Sequence, residues 1–257
     1  MRLILDAVVH SYDDLHALGP IDLEVDDGRI VAVVGPSGCG KSTLLAIAGG
    51  LIRPSAGRVA MAGDVPAGCL NPLTYVFQDF ALLPWRSVAA NVALPLEGRG
   101  LGRAERRARV ADALDRTGLS DFADALPRQL SGGMRQRVGI ARALAVNPAV
   151  LLMDEPLSAL DAQTRDLLMD DLVALHGRAP FSALYVTHNL AEAVRLAHRV
   201  VVLSRRPGRV RDVVDIDIPI ADRASTSADL AVITDRLWQS IRDEAATADR
   251  ELANVRS

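Results

Sequence analysis

The chain has 257 residues, of which 49% are apolar and 24% are charged, a composition typical of a globular protein rather than a disordered one. Its net charge of −3 at pH 7 excludes an overall positive field that would recruit nucleic acid. The cysteines Cys39 and Cys69 are too few for a disulfide framework and lack the spacing of a zinc site.

Apolar runs such as Ile30 to Val34 and Val150 to Met153 are far shorter than the roughly 18 residues that a membrane-spanning helix needs. The N-terminus reaches an acid at Asp6 before an apolar signal-peptide core could form. The sequence therefore predicts a cytosolic chain that does not cross a bilayer by itself, built as one domain with room for a subdomain.

Strands are predicted at the start of the chain because short apolar segments alternate there with Asp-Gly and Gly-Pro turns. The predicted strands are Leu3 to Val9, Ile21 to Val25, Ile30 to Val34 and Arg58 to Ala62. The third of these is apolar without alternation, which predicts a strand covered on both faces.

A glycine-rich segment follows that buried strand and fits the pattern G-x-x-x-x-G-K-[ST]; it comprises Gly35, Pro36, Ser37, Gly38, Cys39, Gly40, Lys41, Ser42 and Thr43. Its glycines allow backbone N–H groups to point at phosphate oxygens, and a following helix adds its positive end. Because the strand and the full pattern occur together, a chance glycine-rich turn is disfavoured. The segment predicts a nucleoside-triphosphate site in which Ser42 offers a hydroxyl to Mg²⁺.

Lys41 is the one lysine among 29 basic residues, the other 28 being arginine. Arginine can replace lysine at most solvated positions, but not where a compact, flexible ammonium has to reach the β- and γ-phosphates. The composition therefore points to the same site as the pattern does. Cys39 occupies a free position of the pattern and is interpreted as filler rather than as a redox group.

Helical periodicity prevails from Ser87 to about Asn147, with no obvious strand, and predicts an inserted helical subdomain. Its arginine-rich stretch from Arg99 to Arg116 also contains acids, which favours a solvated helix face over a phospholipid or nucleic-acid contact.

Three apolar runs then alternate with helical patterns, at Val150 to Met153, Ala183 to Val186 and Val200 to Leu203. This alternation predicts βαβ units and a parallel sheet. A charged segment from Arg205 to Asp217 and an amphipathic helix from Leu230 to about Leu252 complete the chain.

Two carboxylates, Asp154 and Glu155, follow the first of these runs. Open α/β sheets bind their ligands at the carboxyl ends of strands. Asp154 is therefore the expected outer-sphere Mg²⁺ partner, and Glu155 is the candidate general base for the attacking water.

The run Leu130-Ser131-Gly132-Gly133 opens a predicted helix and resembles the signature of the ATP-binding cassette (ABC) family. Ser131 and the glycines would present hydroxyl and backbone donors at a helix N-terminus, a second anion-binding device in one chain. The resemblance implies that two cassettes pair head to tail. Ser131, Gly132, Gly133 and Gln136 of one subunit would then close over the ATP held by the other.

Further positions match the family one at a time. Gln78 resembles the glutamine that contacts Mg²⁺ and the water, and Asp161 resembles the D-loop aspartate, with a local role open as a helix N-cap. His188 resembles the histidine that contacts the γ-phosphate. Tyr12 fits the aromatic that stacks on adenine, although any exposed tyrosine on an early strand would look the same.

Lys41, Gln78, Glu155 and His188 are thus the expected catalytic residues, and ATP and Mg²⁺ are the implied cofactors, with Ser42, Gln78 and Asp154 around the metal. The other histidines form no ligand cluster along the chain; these are His10, His16, His176 and His198.

The resemblance implies an α/β fold with a RecA-like P-loop NTPase core, an antiparallel β subdomain and an inserted helical subdomain. The expected nucleotide-binding domain spans residues 1–225, with its core at 1–86 and 145–225 and its helical subdomain at 87–144. Residues 226–257 are expected to form a C-terminal helical extension that serves in packing or dimer contact rather than as a sensor.

A single short cassette without membrane spans resembles the separate ATPase subunit of a bacterial importer. Chromosome-maintenance and DNA-repair relatives insert coiled coils or zinc modules before the signature, and translation-factor relatives carry two cassettes. The segments Leu83-Pro84-Trp85-Arg86 and Arg206-Pro207-Gly208-Arg209 are similar to those of the nitrate, sulfonate, taurine and bicarbonate importer group. A non-transport ATPase acting on nucleic acid or another protein complex is the alternative.

The implied partners are a second ATPase subunit, two permease subunits docking near Gln78 to Val88 and, indirectly, an extracytoplasmic solute-binding protein, with no nucleic acid. Trp85 is either specific to this group or a plain anchor in a docking groove. The expected location is the cytoplasmic face of the plasma membrane, held there by the permease.

Overall fold

The computed structural model describes residues 1–223 and 228–255. The strands are β1 (Arg2–Tyr12), β2 (Leu15–Val25), β3 (Ile30–Val34), β4 (Ala56–Ala62), β5 (Leu73–Val76), β6 (Val150–Asp154), β7 (Ser182–Val186), β8 (Arg199–Leu203) and β9 (Val210–Asp215). The α-helices are α1 (Lys41–Ala48), α2 (Val88–Ala93), α3 (Arg103–Arg116), α4 (Gly132–Leu144), α5 (Ala162–Arg178), α6 (Leu190–Leu196) and α7 (Ala228–Val255). Short 3-10 helices occupy Leu94–Leu96, Ser120–Phe122, Pro127–Gln129 and Ile220–Asp222.

The chain divides into two compact units, each formed from separate stretches of sequence. Met1 and Asp64–Phe181 form the helical unit, and Arg2–Gly63 with Ser182–Ser257 form the sheet unit. The predicted subdomain at 87–144 lies within the helical unit. The boundaries of these two units differ from the predicted domain boundaries at residues 86, 144 and 225. The predicted domain boundaries therefore stay a prediction.

The sheet unit contains an antiparallel sheet in the order β2, β1, β4 and a parallel group in which β3 pairs with both β7 and β8. All five residues of β3 are buried, as its unbroken apolar sequence predicted. The strand β9 pairs antiparallel with β8. It was missed because charged residues alternate with valines in the segment from Arg205 to Asp217.

The helical unit contains the parallel pair β5 and β6 and the helices α2 to α5. A core of buried apolar side chains joins α2, α3 and α4, among them Val92, Leu114 and Val138. No strand occurs between residues 87 and 147, all of which the structure describes, in agreement with the predicted helical segment. The strand β5 was not predicted, because four residues carry too little periodicity.

The last helix, α7, covers the amphipathic helix predicted from Leu230 to about Leu252. It packs on its own unit: Leu237 is fully buried, and Arg236 and Ser240 bind the carboxylate of Asp212 in β9. Residues 226–227 and 256–257 of the predicted extension lie outside the described residues.

In the described parts of the chain, no helix combines the length and the apolar character that crossing a membrane requires.

Candidate nucleotide-binding site

The glycine-rich segment leaves the carboxyl end of β3 and enters α1 at Lys41. Gly38 and Gly40 have φ angles of +76° and +103°, which other L-residues adopt only at a cost. Gly40 is the residue that caps α1. The backbone therefore turns tightly just ahead of a helix N-terminus, the arrangement that binds anions in proteins.

The ammonium of Lys41 lies inside this turn. Its Nζ donates to the carbonyl oxygens of Gly35 at 2.9 Å and Pro36 at 3.0 Å, and the side chain is buried. Two carbonyls thus hold the charge beside the glycine turn, and a phosphate oxygen could draw it away at little cost because the stem is flexible.

Cys39 points away from solvent, with 1% of its surface exposed. Burial raises the pKa of its thiol above the usual range, an effect larger than the opposing influence of the Lys41 charge. A thiol that stays protonated is a poor nucleophile, which supports its interpretation as filler.

Tyr12, at the end of β1, reaches the same region. Its hydroxyl lies 3.3 Å from Oγ1 of Thr43, and the ring of His10 contacts it edge-on at 4.6 Å between centroids. The tyrosine is 44% exposed, so its ring has a free surface on which a base could stack.

His188 follows β7, the strand that pairs with β3, and is exposed. Because carboxyl ends of adjacent parallel strands share one sheet edge, His188 and the glycine-rich segment belong to the same edge. The backbone that carries His188 is ordered by hydrogen bonds among buried residues next to it. Glu192 Oε2 accepts from Thr187 at 2.8 Å and from Tyr185 at 2.9 Å.

In the helical unit, β5 and β6 are adjacent parallel strands with Val76 opposite Met153, and Gln78 lies two residues beyond the end of β5. Asp154 is the last residue of β6 and Glu155 comes next, with a φ of +43°, a conformation uncommon for a residue other than glycine. Ser158 stabilises this turn, since its N–H and hydroxyl both donate to the Glu155 carbonyl. Strained backbone of this kind concentrates at functional sites.

Tyr75 on β5 was not singled out from the sequence. Its burial and the nearby charge of Asp154 raise its pKa above the usual range, so the phenol stays neutral beside that carboxylate. The signal that could have revealed it is its position on the strand that precedes Gln78.

The predicted signature run begins α4, as expected. The hydroxyl of Ser131 accepts from the N–H of Met134 at 3.2 Å. Gly133 is buried, and a Cβ there would lie 2.8 Å from the Thr164 methyl of α5, so the packing of α5 requires glycine. Gln136 is 1% exposed, and its amide atoms have no hydrogen-bond partner within residues 1–223 and 228–255. Buried orphan groups of this kind are uncommon.

The segment after Gln78 is tied to α4 by two arginines. Arg142 donates to the carbonyl oxygens of Phe80 at 2.9 Å and Ala81 at 2.6 Å, and the guanidinium of Arg135 lies over the Phe80 ring at 5.7 Å. Movement of this segment would therefore act directly on the helix that begins at Ser131.

Asn91 orders the turn around Trp85 and was missed by sequence reasoning. The asparagine is fully buried, whereas Trp85 is 73% exposed. The Asn91 side chain accepts from the N–H of Leu83 at 2.8 Å. Its amide nitrogen donates to the carbonyls of Leu83, Arg86 and Ser87. A polar side chain inside the fold thus supports an apolar side chain outside it.

Asp161 is the N-cap of α5, the local role open to it from the sequence. Its Oδ1 accepts from the Thr164 N–H at 3.0 Å and its Oδ2 from the Thr164 hydroxyl at 2.7 Å. The Thr164 hydrogen bonds lower the pKa of Asp161, so it stays ionised at neutral pH.

The predicted metal residues supply a hydroxyl (Ser42), an amide oxygen (Gln78) and a carboxylate (Asp154). Among the described residues, no group of three His, Cys, Asp or Glu side chains could hold an ion. A sparse set of oxygen donors fits Mg²⁺, which keeps its waters and binds phosphates, better than it fits zinc or calcium. Two of the other histidines have structural contacts: His10 packs edge-on against Tyr12, and His198 accepts from the Ile30 N–H at 2.9 Å.

The predicted site residues thus divide between the units. Tyr12, Gly35 to Thr43 and His188 lie in the sheet unit, and Gln78, Ser131 to Gln136, Asp154 and Glu155 lie in the helical unit. Within each unit they come from the carboxyl ends of paired strands or from the start of a helix.

Residues 18–158 match the family described as ABC transporter. The chain is 48% identical over 203 residues to the aliphatic sulfonates import ATP-binding protein SsuB 1 of Xanthomonas axonopodis pv. citri, covering 79% of this chain and 81% of the relative. It is 45% identical over 203 residues to the taurine import ATP-binding protein TauB of Rhizobium johnstonii, covering 79% and 78%. A solved dimeric post-hydrolysis structure of the ATP-binding cassette MJ0796, bound to ADP and Pi, is 34% identical with a TM-score of 0.68, covering 83% of this chain and 98% of that one.

Proposed function

The chain belongs to the ABC transporter family, and from this premise we propose that it is the ATP-hydrolysing subunit of an importer for small organic sulfonates such as taurine. It is an ATPase that binds ATP and works as a dimer of cassettes with permease subunits. The sulfonate class rests on the names of the relatives, and a periplasmic or surface solute-binding protein would supply the solute.

The observation that carries the ATP site is the glycine-rich turn with Lys41 held inside it. In the proposal, the N–H groups of Gly38 to Thr43 and the start of α1 bind the phosphates, and Lys41 exchanges its two carbonyl partners for phosphate oxygens. Tyr12 stacks on adenine with its free face.

Mg²⁺ bound with ATP would be held by Ser42, Gln78 and Asp154, and it would offset the negative charge of the phosphates. Glu155 accepts a proton from the attacking water, a role for which an ionised carboxylate is suited. His188 donates a hydrogen bond to the γ-phosphate from a backbone ordered by Thr187 and Glu192.

The partner cassette completes each site in this proposal. Ser131 and the N–H groups of Gly132 and Gly133 stand at the start of α4, where a helix N-terminus favours an anion. They would contact the ATP held by the opposite subunit. Gln136 is buried beneath the surface of its own chain and would reach nucleotide only after a rearrangement.

The permease is proposed to dock near the segment from Gln78 to Val88. Phe77 and Trp85 are exposed there, and exposed aromatic side chains are typical anchors of protein interfaces. Arg142 then passes movement of this segment to α4. The proposed location, on the cytoplasmic face of the plasma membrane, follows from permease binding.

The Glu155→Gln variant tests the assignment of the base. The amide keeps the size of the side chain but cannot accept the proton, so we expect ATP binding to persist while phosphate release falls by about 100-fold or more. The variant should also accumulate as an ATP-bound dimer in gel filtration. Glu105→Gln, on the exposed face of α3, is the matched control and should retain full activity.

Near-normal phosphate release by Glu155→Gln would contradict the role of Glu155. Failure of the purified wild-type chain to associate with any co-expressed permease would contradict the transport function and leave the ATPase activity to be explained by the non-transport alternative.

A further inference from the structure

The turn between β8 and β9, from Ser204 to Arg209, lies against the glycine-rich segment in the sheet unit. A Cβ built on Gly208 would be only 2.2 Å from the carbonyl oxygen of Cys39. The φ of Gly208 lies outside the left-handed region, so its backbone conformation does not require glycine. The position requires glycine because the phosphate-binding backbone occupies the space of a side chain.

A second contact comes from Leu18 of β2, which is 1% exposed. Its Cδ2 atom is 2.5 Å from a Cβ built on Gly40 and 3.3 Å from one built on Gly208. Leu18 therefore fits against both glycines. The glycine-rich segment is therefore contacted on its inner surface by two residues, Gly208 at Cys39 and Leu18 at Gly40.

Backbone hydrogen bonds fix the turn to β2. The N–H of Gly208 donates to the Ala17 carbonyl at 3.0 Å, and the N–H of Gly19 donates to the Gly208 carbonyl at 2.9 Å. These bonds hold Gly208 at its distance from Cys39, and a larger residue there could not simply move outward.

Ser204 closes the turn from within. Its N–H donates to the Arg209 carbonyl at 2.9 Å, and its hydroxyl oxygen accepts from the Arg209 N–H at 3.1 Å. The turn is thus closed at its ends by the bonds between Ser204 and Arg209, and Gly208 ties it to β2. Added volume at Gly208 would be relieved by displacement of Cys39 and its neighbours.

We propose that Gly208 and Leu18 form a brace that sets the position of the phosphate-binding segment, so that Gly208 is a positioning residue for nucleotide binding although it acts only through Cys39 and Gly40. Phosphate recognition uses backbone N–H groups whose direction changes with the backbone itself, and errors of about 1 Å in such arrangements are costly. The ATP part of this inference rests on the proposed function, and the part that concerns the position of Cys39 does not.

The test compares Gly208→Ala with Gly19→Ala. A Cβ on Gly19 would lie 2.7 Å from Cγ and Nε of Arg209, and this long side chain can move away without disturbing the glycine-rich segment. The two variants thus add the same methyl group at two neighbouring residues, Gly208 within the brace against fixed backbone and Gly19 outside it against a flexible side chain.

Two readouts are measured in a Cys69→Ser background, which leaves Cys39 as the one thiol of the chain. The first is the rate at which a thiol reagent such as dithionitrobenzoate labels Cys39, which reports displacement of the segment without nucleotide. The second is the Kd for ATP. For Gly208→Ala we expect both to rise by about tenfold or more, and for Gly19→Ala we expect both to stay within about twofold of the parent.

Unchanged labelling and unchanged Kd in a folded Gly208→Ala variant would overturn the brace. Faster labelling with an unchanged Kd would overturn its role in nucleotide binding. If Gly208→Ala does not fold, Leu18→Val is measured in its place, because it removes the Cδ2 atom that lies against Gly40. Leu18→Val should raise both the labelling rate and the Kd severalfold. No change in either readout would overturn the brace. A parent protein that binds no ATP would refute the proposed function, and the labelling rates would still decide the brace.

Discussion

Lys41 differs from the other basic residues in what surrounds its charge. Many of the arginines lie on exposed faces, for example Arg103 and Arg107 of α3, where either cation is tolerated. Lys41 is buried between two carbonyls at the start of a helix, where a planar guanidinium would meet backbone on both sides. The compositional bias toward arginine thus ends where the geometry demands an ammonium.

The Lys41→Arg variant is expected to lose ATP turnover by about 100-fold or more, since the larger fork cannot occupy the glycine turn and still reach the phosphates. Phosphate release at saturating ATP measures the loss. Arg103→Lys, the reverse exchange on an exposed face of α3, serves as the control and should leave turnover unchanged. Turnover near that of the wild type in Lys41→Arg would show that the site tolerates a fork.

At the scale of the elements, buried polar side chains fix the loops that carry two of the proposed functional residues, Trp85 and His188. Asn91 within α2 fixes the turn that carries Trp85, and Glu192 of α6 fixes the backbone beside His188. Such networks stabilise one arrangement because every alternative leaves a buried donor or acceptor without a partner. The proposed docking segment is thus stabilised by a residue that would not itself contact the permease.

Trp85→Ala and Asn91→Ala are expected to distinguish direct contact with the permease from stabilisation of the turn that carries Trp85. Trp85 is 73% exposed, so its removal should change stability by less than about 0.5 kcal/mol while weakening permease association in a pull-down. Asn91→Ala should weaken the same association and also lower the free energy of unfolding by about 2 kcal/mol, because three part-buried carbonyls and one N–H lose their partner. Unchanged permease association in Trp85→Ala would exclude this segment as the docking site.

The pair Arg199 and Asp215 joins β8 to β9 and gives a prediction for pH. The Arg199 guanidinium hydrogen-bonds the carboxylate at 2.6 and 3.2 Å, and these bonds lower the pKa of Asp215 below its usual range. A carboxyl whose pKa is lower in the folded state stabilises the fold above its unfolded pKa and loses that effect as pH falls through the folded value.

Asp215→Asn should therefore cost about 0.5 kcal/mol at pH 7, the scale of an exposed pair. The difference from the wild type should shrink as pH falls below about 3.9. Urea unfolding at a series of pH values measures it. A difference that stays constant down to pH 2 would mean that the pair contributes nothing through its charge.

At the scale of the whole molecule, the chain carries two candidate anion-binding sites, the glycine-rich segment before α1 and the start of α4. They lie in different compact units, and each is built from elements of its own unit. In the proposed dimer of cassettes both sites would bind nucleotide, because each ATP would be held by the glycine-rich segment of one chain and covered by the start of α4 of the other.

Complementation between two inactive variants tests this arrangement. Lys41→Ala removes the phosphate contact, and Ser131→Arg blocks the signature. A mixed dimer of the two variants would contain one intact site, so mixing them should restore activity to about a quarter of the wild-type rate if the chains exchange freely in a symmetric dimer. Phosphate release before and after mixing measures it, and each variant alone is its own control. No gain on mixing, with exchange of subunits demonstrated, would contradict shared sites.

The sequence was sufficient where chemistry is local. The buried strand β3, the glycine turn, Lys41, the carboxylates Asp154 and Glu155, and the cap at Ser131 each depend on a few consecutive residues, and the strand and helix predicted around them were confirmed. Short or charged elements such as β5 and β9 were missed, because their pairing comes from neighbours far along the chain rather than from their own periodicity.

Only the tertiary structure identified the residues that act through others. The sequence predicts no role of this kind for Gly208, Leu18, Asn91 or Glu192. Gly208 and Leu18 meet a glycine-rich segment that is distant in the chain. Asn91 and Glu192 bind groups that are near in the chain but that only the fold orients toward them. Nothing near position 208 in the chain predicts that the Cys39 carbonyl will occupy its side-chain space. The sequence by itself predicted the glycine-rich segment and Lys41 as the groups that would meet the phosphates, since that chemistry is contiguous. The fold decided what holds those groups in place, because packing depends on pairs of surfaces that meet only after the chain has folded.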